Sequence, residues 1–185
     1  MNKILLPLIA LFGLNGCLST SSNYYVLSMP STPSVIYKNS SVIGVEKITV
    51  PGYLYKREIA VSKNANQITL LNDAEWGEDL DAGLTQRLIG FLQKKFNQPN
   101  VYAYPWGIER QPTKKVKVDV TRFIAQGGYV YLDANWVIED MHTHRRKAKL
   151  FSTKVTTGSE ASAIVSAMDK AFCELEEVIA GGLRG

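Results

Sequence analysis

The sharpest pattern in the chain lies between Val116 and Ile138. Val116, Val118 and Val120 alternate with Lys117, Asp119 and Thr121. Beyond Gln126-Gly127-Gly128-Tyr129, the residues Val130, Leu132, Ala134, Trp136 and Ile138 alternate with Tyr131, Asp133 and Asn135. A period of two marks strands, and a Gly-Gly pair supplies the positive φ that a two-residue hairpin turn requires. Regular pairing back from that turn sets Arg122 opposite Asp133, Val118 opposite Val137 and Asp119 opposite Trp136. On that register neither face is cleanly apolar, and the pattern does not single out a core face.

Shorter strand signals occupy residues 24–28, 42–50, 101–104 and 147–156, and residues 59–62 and 67–71 read as a second hairpin around 63–66. Residues 29–41, rich in serine and holding two prolines, read as a loop, and Pro51-Gly52 predicts a tight turn. Leu80, Leu84, Leu88, Phe91 and Leu92 recur at helical spacing. Lys94 and Lys95 suit the negative end of the dipole, and Asn97 and Pro99 stop the helix. A second helix carries the stripe Ile164, Ala167, Met168, Ala171, Phe172, Leu175 and Ile179. Thr157 is the expected N-cap with Glu160 reaching back, and Gly181-Gly182 the expected stop. About four strands, a helix, about four strands and a helix predict an α+β fold. The expectation is a single domain in which two helices pack on a largely antiparallel or mixed sheet.

The first residues break this picture. Met1-Asn2-Lys3 is short and basic, and residues 4–14 are apolar throughout, the layout of a cleaved signal peptide. The run is too short to span a bilayer, which takes ~20 residues. It ends in Leu14-Asn15-Gly16-Cys17, which resembles the bacterial lipobox, Asn15 departing from the small residue usual at its place. The resemblance implies S-diacylglycerol on the Cys17 thiol, cleavage after Gly16 and N-acylation of the new amine. Two or more acyl chains anchor stably where one binds only reversibly. The expected divisions are a signal peptide over 1–16, lipidated cysteine and tether over 17–23, and a periplasmic domain over 24–185. Leu18, where an aspartate would favour the inner membrane under the enterobacterial sorting rule, points to the outer membrane.

Without residues 1–16 the chain keeps 169 residues and loses one lysine, so its formal charge falls from +4 to +3. That length suffices for one core. The mild basicity fits work near anionic lipid and carries no nucleic-acid signature. With Cys17 lipidated, Cys173 has no intrachain partner and reads as a structural helix residue.

Candidate chemistry is sparse. The chain has no P-loop, G-x-G-x-x-G, G-x-S-x-G or H-E-x-x-H motif. His142 and His144 would share a face on a strand, yet two ligands are too few for a structural zinc site. They sit in the basic run 142–149, read as a solvated turn that touches anionic headgroups or blunts a strand edge. Asp73, Glu75, Glu78, Asp79 and Asp81 cluster at the start of the first helix, where carboxylates match its dipole. Trp76, Trp106 and Trp136 read as core or partner anchors. Nothing here supports an enzyme, a cofactor or a metal.

Several blocks nonetheless resemble one family in order and spacing. They are Tyr24-Tyr25-Val26-Leu27, then Val42-Ile43-Gly44-Val45 leading through Val50-Pro51-Gly52-Tyr53-Leu54 to Arg57, then Trp76 with Leu80. Tyr104-Pro105-Trp106, Val118-Asp119-Val120-Thr121-Arg122-Phe123 and Leu132-Asp133-Ala134-Asn135-Trp136 follow. The chain resembles the PqiC/YmbA family of ABC-type transport auxiliary lipoproteins. Glu58 and the charge-rich run 142–149 depart from its pattern. The resemblance implies a non-enzymatic subunit in lipid traffic between the two membranes that supports membrane integrity. It would be anchored in the outer membrane facing the periplasm, would dock an MCE-domain (mammalian cell entry) transport protein and its inner-membrane partner, and would assemble as a homo-oligomer. Tyr53, Tyr55 and Trp106, near loops, are the candidate partner contacts. Two other classes stay open: a lipoprotein assisting insertion of outer-membrane proteins or lipopolysaccharide, and an anchored envelope enzyme.

Overall fold

A computed structural model describes residues 22–27, 33, 35–38 and 40–184. The leader and Cys17 lie outside the described residues. Eight strands form one mixed sheet: β1 (Asn23–Tyr25), β2 (Ile43–Val45), β3 (Glu58–Asn64), β4 (Gln67–Trp76), β5 (Val101–Ala103), β6 (Lys114–Gln126), β7 (Tyr129–Asp140) and β8 (Arg146–Thr156). Helices α1 (Leu80–Phe96) and α2 (Ala161–Leu183) pack on one face. The long pairings β3–β4, β6–β7 and β7–β8 are antiparallel, the first two being the hairpins that the pattern predicts, while β1–β4, β2–β5, β2–β6 and β3–β6 are parallel.

β6 is the spine. β7 covers one of its edges. The other edge takes three successive segments of the same stretch: Ile43–Val45 opposite Lys114–Val116, Thr49 opposite Asp119, and Val61 opposite Ala125. The expected strand over 42–50 is thus interrupted after Val45. Instead of a tight turn at Pro51-Gly52, one turn of 3-10 helix, Gly52–Tyr55, carries the chain into β3.

The β6–β7 hairpin corrects the simple register. Gly127 and Gly128 have φ of 58° and 79°, and pairing is regular out to Arg122 opposite Asp133. There Thr121 is left over, a β-bulge, so Val120 faces Ala134, Val118 faces Trp136 and Val116 faces Ile138. One extra residue moves every side chain beyond it to the other face. Val116, Val118 and Val120 therefore join Phe123, Ala125, Val130, Leu132, Ala134, Trp136 and Ile138 in one buried layer under the helices. Lys115, Lys117, Asp119, Tyr131, Asp133 and Asn135 fall on the opposite, helix-free face.

α1 ends as its sequence predicts. Asn97 adopts a left-handed conformation (φ 48°) and its N–H bonds the carbonyls of Gln93 and Lys94. α2 differs at both ends. The Thr157 N–H bonds the Gly128 carbonyl, so Thr157 still belongs to the sheet. Glu160 is the N-cap residue and no side-chain capping bond forms. The helix also runs on through Gly181 and Gly182. Here glycine serves close approach: a Cβ on Gly182 would lie 2.8 Å from Ile138 Cδ1 and 2.9 Å from Trp136 Cη2.

Candidate interaction surfaces

The candidate contact residues sit on three separate features. Tyr53 is half-buried, and its hydroxyl accepts the Phe123 N–H at 3.0 Å, beside the Thr121 bulge. A bulge disrupts the ladder locally, and Tyr53 supplies the acceptor that β6 needs there. Burial pushes the Tyr53 phenol up from its ordinary pKa. Tyr53→Phe is expected to destabilise the domain by about 1–3 kcal/mol, the cost of an unsatisfied backbone donor, measurable by urea unfolding.

Tyr55, two residues on, is 59% exposed and lines a small cleft with Trp76, Lys56 and the start of α1. Trp106 lies on the β5–β6 connection. It packs against Gly44, whose flanking residues Ile43 and Val45 are buried, so Trp106 covers the helix-free face of β2. Tyr104 meets the Trp106 ring edge-on at 5.0 Å, and Ile108 protrudes from the same connection at 94% exposure. Tyr104, Trp106 and Ile108 thus make a small apolar promontory, of which only Trp106 is a contact candidate from the sequence. Trp76 and Trp136 are buried core residues.

The basic run departs from the strand geometry that would pair its histidines. Residues 141–145 form a turn in which Asp140 Oδ1 accepts the N–H groups of His142 and Thr143, and His144 has φ of 54°. The hydrogen bonds from Thr143 hold the Asp140 carboxyl below its ordinary pKa. The run then enters β8, whose only partner among the described strands is β7, so Arg146, Lys147, Lys149 and Lys154 line a free sheet edge. Leu150, on its helix-free face, is 85% exposed. An unpaired edge eleven residues long is a template for another strand, and its lysines guard against indiscriminate pairing. No group of three or more metal-ligating side chains occurs among the described residues.

The acidic cluster divides. Asp79 is the N-cap residue of α1, while buried Asp81 pairs with Lys47 at 2.7 Å and Glu75 pairs with Arg57 at 3.7 Å. The titratable groups most out of the ordinary lie between the helices, where sequence reading had placed nothing. Arg87 of α1 is buried, with Glu176 of α2 at 3.3 Å and Asp169 also bonded to it. Burial alone would lower the Arg87 pKa, but Glu176 and Asp169 raise it. Burial pushes the Glu176 carboxyl up to about 7 despite the adjacent guanidinium.

An acid whose folded pKa exceeds its unfolded value contributes stability below the unfolded pKa and loses it as pH rises through the folded one. Stability of the wild type relative to Glu176→Gln is therefore expected to fall by roughly 3 kcal/mol between pH 4.5 and 7.5. Chemical denaturation of both proteins across that range checks it. Cys173, half-buried nearby, has its thiol pushed up by burial and by Glu176, so it is no activated nucleophile.

Comparison with known proteins agrees with this geometry. The chain is 29% identical over 143 residues to the intermembrane transport lipoprotein PqiC of Escherichia coli K12, covering 75% of this chain and 74% of that one. The crystal structure of an uncharacterized protein superposes with a TM-score of 0.73 at 19% identity, over 88% of this chain and 99% of the other. That of a Xanthomonas campestris protein gives 0.75 at 15% identity, over 86% and 93%. These two show the fold. A family model described as the ABC-type transport auxiliary lipoprotein component matches residues 25–180. The chain belongs to the ABC-type transport auxiliary lipoprotein family.

Proposed function

We propose that this chain is a lipid-anchored auxiliary subunit of a system that moves lipid between the inner and outer membranes. Cys17, after cleavage of residues 1–16, carries the anchor, and the domain faces the periplasm from the outer membrane. The observation that carries this reading is the family match over 25–180, preceded at a short distance by a cysteine ending an apolar leader. The name of the Escherichia coli relative supports intermembrane transport. No helix among the described residues is long and apolar enough to cross a membrane.

Docking is the domain's work. The family is one of transport auxiliaries and not of enzymes. Tyr55 and the Tyr104–Trp106–Ile108 promontory are the contacts for an MCE-domain protein and, through it, the inner-membrane partner. Tyr53 supports the Thr121 bulge. The free edge of β8 supports assembly of several copies. Cys17→Ser tests the anchor. Wild type extracted from membranes should have the mass of residues 17–185 plus three acyl chains and glycerol, and the variant should be released from the membrane fraction. A wild-type protein lacking acyl groups would overturn the reading.

A further inference from the structure

Strand direction fixes how the tether leaves the domain. β1 is parallel to β4, β4 antiparallel to β3, and β3 parallel to β6. β1 therefore runs away from the Gly127-Gly128 turn, and the chain preceding Asn23 arrives from the turn end of the sheet. Ser62 opposite Gln126 sets the β3–β4 tip beside that turn, and Thr156 opposite Tyr129 brings the end of β8 there too. The helix C-termini, the first residues of β6 and the 141–145 turn lie at the other end.

Lengths then decide which end meets the bilayer. Asn23 pairs with Ala74, next to the Glu75–Glu58 pair. Through Val61 opposite Ala125, it sits near the level of Phe123. The Gly127 turn is four residues above that level, about 13 Å, and Lys114 is eight rungs below, the bulge adding none, about 26 Å. Six residues from Cys17 to Asn23 span at most about 20 Å. A lipid on Cys17 can thus reach past the turn end and cannot reach past the far end.

The turn end is made for such a surface. Ile68 and Tyr129 are exposed, and Lys154 lies over the Tyr129 ring at 5.0 Å. Aromatic rings with a polar tip, flanked by long cationic side chains, favour the headgroup layer.

We infer that the turn end of the sheet, with the β3–β4 tip, Ile68, Tyr129 and Lys154, rests on the phospholipid headgroups, and that the helix C-termini point away from the membrane. This rests on the lipid anchor at Cys17. The test uses full-length acylated protein in vesicles of phosphatidylethanolamine and phosphatidylglycerol at about 3:1 that also carry headgroup-quenching lipid. A fluorophore is placed at Asn66→Cys or at Arg145→Cys, each in a Cys173→Ala background. Quenching is expected to be at least three-fold stronger at position 66, and Lys63→Glu with Lys154→Glu should reduce it there at least two-fold without changing position 145. Equal quenching at both positions, or stronger quenching at 145, in protein whose mass confirms acylation would overturn the orientation and leave the anchor standing. Protein whose mass shows no acyl group would overturn the anchor, and the orientation with it.

Discussion

Insertion of one alanine between Val120 and Thr121 is expected to abolish folding of the domain. The bulge at Thr121 is the sole reason that Val116, Val118 and Val120 share the buried face with Phe123 and Ala125. With one residue more ahead of the bulge, the inserted alanine would take the place opposite Ala134, turning three fully buried valines to the helix-free face and bringing Lys117 and Asp119 beneath the helices. Exposing three valines costs roughly 4–9 kcal/mol at about 1.5–3 each, before any cost of burying the charges. That is comparable to the whole stability of a domain this size. Circular dichroism of the purified insertion variant should show loss of the cooperative thermal transition. Thr121→Ala, which keeps the residue count, should leave the transition within about 1 kcal/mol of wild type.

Arg87→Ala is expected to be the most damaging substitution of a charged side chain. Glu176 is 0% exposed, and the guanidinium is its hydrogen-bonded partner between the helices. Removing one partner of a buried pair leaves an uncompensated charge, at a typical cost of about 3–5 kcal/mol. Near neutral pH Glu176 relieves part of that cost by taking up a proton, since burial already holds its pKa near 7. The Arg87→Ala loss should therefore shrink toward pH 5, and Glu176→Gln in the same chain should recover part of it. Urea midpoints of the two single variants and the double variant, at pH 5 and 8, measure this coupling.

These two positions also show what the sequence made legible. Alternation and helical spacing delivered the strands, both long helices and the fold class, because each is a local pattern. The bulge escaped because one extra residue leaves alternation intact on either side. Its trace is a change of phase: the apolar positions are even at 116, 118 and 120 and odd at 123 and 125. Arg87 escaped because its partner Glu176 is 89 residues away, and a charge on a helix reads locally as solvated. Gly182 was misread for the same reason: Trp136, the residue it must approach, is distant in sequence. Trp106 drew notice as an aromatic near a loop, whereas Ile108 looked ordinary until its exposure was seen. The expectation for Cys17 lies outside the described residues and rests on a leader and a motif.

The central claim, a transport auxiliary that docks an MCE assembly, meets its most direct test in native membranes. The protein would be crosslinked there, purified under denaturing conditions and its partners identified by mass spectrometry. Recovery of an MCE-domain protein, weakened by Trp106→Ala with Ile108→Asp at unchanged protein level, is the predicted result. Reproducible recovery of outer-membrane protein or lipopolysaccharide assembly factors, with no MCE-domain protein, would contradict it.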